Sequence, residues 1–242
     1  MNGLLHATAH SQGFHQRPII SVECVFTGIV EELGAVLARD GSRLRIGARD
    51  VLKDSSIGAS IAVNGCCLTV VARGDDWWEA DVSDETYSRT NLGAIRVGDG
   101  VNLERPMAAD GRFGGHVVLG HVDFVGEVVT AAPNFCVRIP REAMRLVVEK
   151  GSITVDGVSL TAFGLTSDTF RVAVIPHTAA VTTLGARKPG DKVNIEIDVL
   201  AKHVERLVET HGAGVSRAGM GGSGTGAGRT GARGGWFARW RR

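Results

Sequence analysis

The sequence predicts an all-β protein: two similar small barrels in tandem, followed by a C-terminal helix. The first observation is a repeat, because S-I-A-V-N-G-C-C-L-T at residues 60–69 returns as S-I-T-V-D-G-V-S-L-T at residues 152–161, 92 positions later. This register holds without a gap from Phe26 to Glu104 of the first copy. The second observation is that each copy consists of short apolar segments separated by turn signals, the pattern of small closed barrels.

Composition and charge narrow the classes of protein to consider. Of the 242 residues, 43% are apolar and 22% charged, and no apolar run approaches the roughly 20 residues of a membrane span. The last 32 residues hold six arginines and no acidic residue, and without them the net charge of +1 becomes −5. We therefore expect no membrane insertion and no nucleic-acid-binding surface on the barrels. Four cysteines without a C-x-x-C pair favour a reduced, cytoplasmic protein.

The chain starts with residues 1–24, which lack periodicity and a secretory signal and are expected to be a disordered extension. The first barrel domain is expected over residues 25–116. Its β segments lie between turn signals such as Asn64-Gly65 and are predicted at residues 26–30, 44–46, 60–71, 78–82 and 101–103. Residues 48–54 and 83–90 are expected to form brief helical or irregular connections, and residues 110–115 a flexible hinge.

The second barrel domain is expected over residues 117–197, with β segments predicted at residues 122–129, 135–139, 152–162, 170–175 and 193–197 and a short helix over 142–150. A stronger helix is predicted over residues 198–210, with Asp198 as its N-cap. Its apolar stripe consists of Leu200, Val204, Leu207 and Val208. This stripe packs either on its own barrel or on another subunit. Residues 211–242 are rich in glycine and are expected to form a disordered tail.

Polar residues inside the repeated hairpin are candidates for chemistry. Residues two apart in a strand face the same side, so Ser159 shares a face with Thr161, and Cys67 with Thr69. Because small barrels are normally filled by apolar side chains, these polar pairs indicate the mouth of a ligand pocket. The alternative is that they satisfy local backbone groups.

Two histidines, His116 and His121, flank the start of the second copy. Their spacing does not suit two metal ligands on one helical face, and no Cys or acidic cluster completes a tetrahedral set, so no metal site is expected. One or both are better suited to hydrogen bonding or proton transfer. The sequence also lacks the G-x-S-x-G, P-loop and dinucleotide-binding motifs, which argues against hydrolase and nucleotide-dependent activities.

Six motifs, taken in order, carry a resemblance to one family. They are F-T-G-I-V-E-E-L-G from Phe26, N-G-C-C-L-T from Asn64, R-T-N-L-G from Arg89, G-G-H-V-V-L-G-H from Gly114, E-K-G-S-I-T-V-D-G-V-S-L-T from Glu149, and I-P-H-T with T-T-L-G from Ile175. Together they closely resemble riboflavin synthase of the alpha-chain type, over about residues 25–208.

This resemblance implies two six-stranded Greek-key barrels and a homotrimer joined by the helix at residues 198–210. Each active site would lie between the N-terminal barrel of one subunit and the C-terminal barrel of its neighbour. The reaction would be a dismutation without a cofactor, in which two molecules of 6,7-dimethyl-8-ribityllumazine exchange a four-carbon unit and give riboflavin and a ribitylamino-pyrimidinedione. Two molecules of one substrate need two similar pockets with opposite roles, which accounts for the repeat.

The resemblance also implies which residues form the site. The first pocket would use Phe26, Thr27, Gly28, Ile29, Val30, Ser60, Cys66, Cys67, Leu68, Asp81, Val82, Ser83, Asp84, Glu85 and Thr86. The second would use Gly120, His121, Val122, Ser159, Leu160, Thr161, Ala173, Val174, Ile175, Pro176, His177 and Thr178, with Lys150 reaching a neighbour's site. The residues predicted to affect turnover are Cys67, His121, Asp156, Ser159, Ser60 and Thr161. Whether Cys67 acts as a nucleophile or only packs and hydrogen-bonds stays open.

Two other functions and one departure from the family pattern follow from the same residues. A non-catalytic lumazine- or flavin-binding protein of this fold is the alternative, although such a protein would be expected to lose polar groups from one pocket. A tail-mediated partner of another riboflavin-pathway protein, lumazine synthase included, is compatible with either function. The family usually begins Met-Phe-Thr-Gly, whereas here Val25 precedes Phe26, so we expect Val25 to be the true initiator and Met1 a misplaced start.

Overall fold

The computed structural model describes residues 24–218, with side chains through residue 210, and contains twelve strands and three α-helices over that range. Six strands form the first barrel, which is closed in the order β1-β2-β5-β4-β3-β6 with antiparallel pairing throughout. These strands are β1 (Glu32–Asp40), β2 (Arg43–Gly47), β3 (Ser60–Val63), β4 (Cys66–Arg73), β5 (Trp77–Asp81) and β6 (Gly100–Glu104). Helix α1 (Asp84–Arg89) connects β5 to the last part of the barrel.

The second barrel has the same strand arrangement as the first, except that one pair of neighbouring strands is not hydrogen-bonded. Its strands are β7 (Phe124–Thr130), β8 (Asn134–Arg138), β9 (Ser152–Val155), β10 (Val158–Thr161), β11 (Thr169–Ala173) and β12 (Lys192–Ile197). They form a sheet in the order β10-β9-β12-β7-β8-β11, which is the cyclic order of the first barrel left open between β10 and β11. Helix α2 (Pro176–Val181) occupies the place of α1. The predicted fold of two duplicated six-stranded barrels is therefore confirmed.

Each barrel is filled by apolar side chains from alternate strand positions. In the first barrel the fully buried residues include Trp78, Leu44 and Leu103, and in the second Phe135 and Phe170. Burying a large apolar side chain contributes about 1.5–3 kcal/mol, so these residues account for much of the stability of each barrel. The polar pairs of the repeated hairpin lie outside this apolar filling, since Cys67 and Ser159 are half-buried and Thr161 is exposed.

The predicted elements were wrong in four places. Residues 26–30 do not form a strand: Phe26 makes one isolated bridge and the first strand is Glu32–Asp40, a segment that the sequence reading missed. The single β segment predicted over 60–71 is a hairpin of two strands, because Asn64 and Gly65 both adopt positive φ (46° and 74°) and turn the chain. The segment predicted over 152–162 is a hairpin for the same reason, with φ of 48° at Asp156 and 77° at Gly157. The predicted helix at 142–150 is a 3₁₀ helix at Arg141–Leu146.

The C-terminal helix α3 runs over Val199–Ala218, eight residues past its expected end. The carboxylate of Asp198 accepts a hydrogen bond from the backbone N–H of Leu200 at 2.9 Å, in keeping with the predicted cap. The four residues of the predicted apolar stripe, Leu200, Val204, Leu207 and Val208, are 59–65% exposed. Across residues 24–218, no helix is long and apolar enough to cross a membrane. Residues 211–218, expected to belong to the disordered tail, instead form the end of helix α3. The rest of the two segments expected to be disordered, residues 1–23 and 219–242, lies outside the described residues.

The two barrels lie within one compact unit that ends at Lys202. We call the contact surface between them the seam; it includes Phe26 and Val118, which precede the barrels, and the hairpin turns at residues 64–65 and 156–157. The backbone N–H of Phe26 donates to the carbonyl of Val118 at 2.7 Å, and that of Val118 donates back to the carbonyl of Phe26 at 3.1 Å. Phe26 and Val118 are equivalent positions of the repeat. The exchange shows that the two copies are related by an approximate two-fold axis that passes between these residues.

The hairpin turns of the two barrels also contact each other at the seam. The side-chain amide of Asn102 donates to the carbonyl of Asp156 at 2.8 Å, and the equivalent amide of Asn194 donates to the carbonyl of Asn64 at 2.9 Å. Between these turns there is no room for a side chain, because a Cβ on Gly157 would lie 2.6 Å from the backbone nitrogen of Gly65. Backbone-to-backbone packing therefore fixes the barrels against each other.

Candidate active site

The first candidate pocket is a cavity of about 410 Å³ at the mouth of the N-terminal barrel. Three predicted substrate-binding residues, Thr27, Ile29 and Ser60, line this cavity. Its volume lies within the range of roughly 300–1,000 Å³ that is usual for small-molecule sites. The structure therefore brings together the first-strand motif and the start of the repeated hairpin, as expected for a ligand pocket.

Sequence reasoning missed the charged residues of this cavity. Arg105 bridges two carboxylates, those of Glu31 and Asp54, and all three line the cavity together with Arg112 and Met107. Arg105 directly follows the last residue of β6 and so lies at the rim of the barrel, where a charged side chain indicates a solvent-accessible opening and not a core. Its position after the strand could have identified it from the sequence. The cavity therefore combines apolar walls with an ion cluster fixed at its edge.

Cys67 lies on β4 beside this pocket, packed against Phe26 and Val118. Burial raises the pKa of its thiol, and a hydrogen bond with Ser60 opposes that shift. Since the thiolate is the nucleophilic form of cysteine, a raised pKa makes Cys67 a poor nucleophile near neutral pH. Its surroundings favour packing and hydrogen bonding. Ser60 also accepts a hydrogen bond from the thiol of Cys24 at 3.1 Å.

Ser159 occupies the equivalent position on β10, and its partner is a histidine. Its hydroxyl lies 2.8 Å from Nδ1 of His116. Burial lowers the pKa of His116, so the imidazole is neutral at pH 7 and able to accept or donate a proton. Sequence reasoning noted His116 but selected His121, whose side chain is exposed. The structure thus pairs Ser159 with the other histidine of the G-G-H-V-V-L-G-H motif.

The segments that precede the barrels are hydrogen-bonded to the hairpin residues Ser159 and Cys67 of the opposite barrels. The carbonyl of Gly28 accepts a hydrogen bond from the backbone N–H of Ser159 at 2.7 Å, and the carbonyl of Gly120 accepts one from that of Cys67 at 2.9 Å. Both glycines have positive φ, 75° and 73°. A Cβ on Gly28 would come within 2.7 Å of Ser159, and one on Gly120 within 2.7 Å of Cys67. Each barrel therefore contributes backbone to the pocket residues of the other.

A buried carboxylate fixes each of these segments. Glu104 on β6 accepts from the backbone N–H of Thr27 at 2.7 Å and of Gly28 at 3.1 Å. Glu196 on β12 accepts from the backbone N–H of Leu119 at 2.8 Å and of His121 at 3.1 Å. Burial raises the pKa of both carboxyl groups to about 7, and the N–H donors oppose the rise.

Asp156, predicted to affect turnover, lies at the seam. Its side chain is fully buried, and Arg187 donates to Oδ2 from Nε at 3.0 Å and from Nη2 at 2.6 Å. Oδ1 accepts from the side chain of Asn91 and the backbone of Asn194, both at 2.8 Å. Burial raises the pKa of Asp156, and the positive charge of Arg187 opposes that rise. Both oxygens are thus engaged by protein donors, and the contribution of Asp156 to turnover stays a prediction.

The remaining predicted site residues fall into two matching junctions between a strand and a helix. Residues 81–86 end β5 and begin α1, where Ser83 caps the helix by accepting from the backbone N–H of Thr86 at 3.1 Å. Residues 173–178 end β11 and begin α2. Lys150 is exposed, and its Nζ lies 5.3 Å from the centre of the Phe163 ring. The junctions stand at equivalent positions in the two barrels, as the repeat predicts.

A larger cavity, of about 610 Å³, lies elsewhere along the seam and is lined by none of the predicted site residues. In the part of the chain that the structure describes, no three His, Cys, Asp or Glu side chains are grouped as a metal site would require. The polar groups suited to a heterocyclic substrate are those at the two hairpins, with Ser60 and Cys67 on one and Ser159 with His116 on the other.

Comparison with known proteins agrees with this arrangement. The model of the lumazine binding domain matches the chain twice, at residues 27–106 and 119–198. The riboflavin synthase of Mycobacterium tuberculosis (strain ATCC 25618 / H37Rv) is 50% identical over 201 residues, which cover 78% of this chain and 100% of that enzyme. The riboflavin synthase of Bacillus subtilis (strain 168) is 44% identical over 193 residues, covering 76% and 90%. These matches confirm the resemblance found in the motifs.

A solved structure is similar as well. The crystal structure of LumP complexed with 6,7-dimethyl-8-(1'-D-ribityl) lumazine matches with a TM-score of 0.63 and 25% identity, over 71% of this chain and 98% of that one.

Proposed function

The chain belongs to the riboflavin synthase family, and from this membership we infer that it is a transferase that makes riboflavin. It moves a four-carbon unit between two molecules of 6,7-dimethyl-8-ribityllumazine, which yields riboflavin and 5-amino-6-ribitylamino-pyrimidinedione. The observation that supports this function is that equivalent positions of the two repeated hairpins carry different polar groups, Cys67 in one and Ser159 with His116 in the other. One substrate in two roles needs such a pair.

The two pockets contribute mainly by positioning. Two lumazines held stacked and in register react without a bimolecular encounter, and such positioning contributes on the order of 7–11 kcal/mol to lowering a barrier. The reaction also needs a proton removed from the C7 methyl group of one lumazine and charge stabilised on the ring of the other. The neutral imidazole of His116, bonded to Ser159, is a suitable proton acceptor, and fixed hydrogen-bond donors at the hairpins stabilise developing charge.

The first experiment is incubation of the purified protein with 6,7-dimethyl-8-ribityllumazine alone. We expect riboflavin to appear, detected by its absorbance and fluorescence, in about half the molar amount of lumazine consumed, because one of every two substrates is the donor. A variant with Ser159 replaced by alanine should lower kcat while leaving the fold intact. A well-folded protein that binds the lumazine and leaves it unchanged would contradict the enzyme and indicate a binding protein.

We propose that three chains assemble through helix α3. The support is that all four residues of its apolar stripe are 59–65% exposed in the single chain, where an apolar face of this kind is unfavourable in water. An active site between the N-terminal barrel of one chain and the C-terminal barrel of its neighbour would then require assembly.

Replacing Leu207 by glutamate should therefore lower both the molar mass measured by sedimentation and the activity, because a charge would be buried in the interface. The control is Arg206→Gln, a change at an exposed neighbouring position on the same helix. A trimer that persists in Leu207→Glu, or a wild-type chain that sediments as a monomer while active, would contradict the proposed assembly.

Two further proposals concern location and partners. We propose a cytoplasmic protein, and the support is that no disulfide joins Cys24, Cys66, Cys67 or Cys136 within the described residues. Association with lumazine synthase through residues 211–242 stays a prediction. Co-purification of the two proteins with and without those residues tests it.

A further inference from the structure

Glu104 and Glu196 are equivalent residues of the two copies, and both are buried at the end of a last strand, with 6% and 2% of their surface exposed. Neither hydrogen-bonds within its own β ladder through the side chain. Each carboxylate instead accepts backbone N–H groups from the segment that precedes its barrel, residues 27–28 for Glu104 and residues 119–121 for Glu196. Burying a carboxylate costs free energy unless it is hydrogen-bonded. The presence of one at both positions therefore suggests that each serves to hold the segment that precedes its barrel.

Each of these segments contacts the opposite barrel. The segment held by Glu104 belongs to the N-terminal barrel, yet its Gly28 carbonyl accepts from the backbone N–H of Ser159 at 2.7 Å. The segment held by Glu196 belongs to the C-terminal barrel, yet its Gly120 carbonyl accepts from that of Cys67 at 2.9 Å. The chain of contacts therefore crosses the seam in both directions.

We propose that Glu104 and Glu196 are positioning residues for opposite pockets, so that Glu196 sets the place of Cys67 and Glu104 sets the place of Ser159. Each carboxylate acts through two hydrogen bonds in series, from the side chain to the preceding segment and from that segment's carbonyl to the pocket strand. The catalytic consequence rests on the proposed function, whereas the placement itself does not.

The close contacts at Gly28 and Gly120 explain why a small shift of either segment would also displace Ser159 or Cys67. Gly28 and Gly120 approach Ser159 and Cys67 so closely that a Cβ would lie 2.7 Å from the neighbouring side chain, and a segment packed this tightly cannot move without moving its neighbour. The segment held by Glu104 also places His116, because the backbone N–H of His116 donates to the carbonyl of Thr27 at 3.2 Å. Ser159 and its histidine partner therefore depend on the same carboxylate.

The test replaces each glutamate by glutamine in the full chain and reads the two pockets without substrate. Glutamine keeps the shape and one acceptor, but its NH₂ group faces a backbone N–H donor and loses that hydrogen bond. The reactivity of the Cys67 thiol toward iodoacetamide, mapped by mass spectrometry, reports on one pocket. The NMR signals of the His116 imidazole report on the other. The control is Glu127→Gln on β7, an exposed carboxylate that pairs with Arg138 and Lys192.

We expect a crossed pattern. Glu196→Gln should change the alkylation rate of Cys67 by about fivefold, the factor that one hydrogen bond is typically worth, and leave the His116 signals in place. Glu104→Gln should shift the His116 signals and leave Cys67 near its wild-type rate. Both variants should lower kcat more than they raise KM, and the control should match the wild type in every measurement.

A pattern in which each glutamine changes only its own barrel, or in which neither probe responds, would overturn the proposal. If either glutamine variant fails to fold, Glu196→Asp and Glu104→Asp, which keep the charge and shorten the reach, give the same crossed comparison. A wild-type protein that makes no riboflavin would contradict the proposed function and leave the thiol and imidazole results standing. An uncrossed result in an active enzyme would contradict the placement alone.

Discussion

Replacing Gly157 by alanine is expected to lower the free energy of unfolding by about 3 kcal/mol or more. Gly157 has a φ of 77°, where an L-residue is strained, and its new Cβ would lie 2.6 Å from the backbone nitrogen and 2.9 Å from the Cα of Gly65. Backbone atoms cannot rotate away as a side chain does. The seam itself would have to open.

Gly190 provides the matched control. Its φ is 93°, and a Cβ there would meet nothing within 4 Å, so Gly190→Ala isolates the cost of backbone strain, about 1–2 kcal/mol. Urea denaturation of both variants measures the difference. Equal losses at Gly157 and Gly190 would show that the seam has room for a side chain and that the close contact of the turns is not required.

The second large effect is expected at Arg187, whose guanidinium pairs with the fully buried carboxylate of Asp156 at 2.6 Å. Arg187→Ile should cost about 3–5 kcal/mol, because removal of one partner leaves a buried charge without its counter-ion. The side chain of Arg187 is 22% exposed, whereas that of Asp156 is 0% exposed and has no contact with solvent. The destabilisation arises chiefly from Asp156.

The first copy of the repeat supplies the rescue. Asn64 and Ile95 occupy the positions there that are equivalent to Asp156 and Arg187. The double variant Asp156→Asn with Arg187→Ile should therefore recover most of the lost stability, since an amide needs no counter-ion and can still accept from Asn194. Urea denaturation gives the coupling between the two changes. Additive losses would contradict the ion pair, and a stable but inactive double variant would favour a direct function of Asp156 in turnover.

The sequence was sufficient for the architecture because the repeat and the turn glycines determine backbone geometry directly. The sequence predicts a turn at Asn64-Gly65, and the structure has both residues in positive φ. The first strand was misplaced for a physical reason. The motif at Phe26 is apolar, but its N–H groups bond to Val118 and to Glu104 across long stretches of chain, and no local pattern reveals such partners.

The candidate site was predictable in its residue types and less so in its contacts. Cys67 and Ser159 were found because their spacing in a strand gives each a polar neighbour on the same face, whereas Ser60 was predicted from the family resemblance. The pairing of His116 rather than His121 with Ser159 depends on a long-range contact: the backbone N–H of His116 donates to the carbonyl of Thr27, which lies far along the chain. Asp156 and Arg187 are close only because two barrels meet.

The contacts along the seam are symmetric. Its contacts occur in pairs related by the 92-residue offset: Gly28 with Ser159 and Gly120 with Cys67, Asn102 with Asp156 and Asn194 with Asn64. Reciprocal contacts of this kind are the mark of an isologous interface between two identical subunits. The two halves of the chain therefore contact each other as two copies of one subunit do in a homodimer. The ion pair of Asp156 with Arg187 is present on one side of the axis only, because the first copy has Asn64 and Ile95 at the equivalent positions.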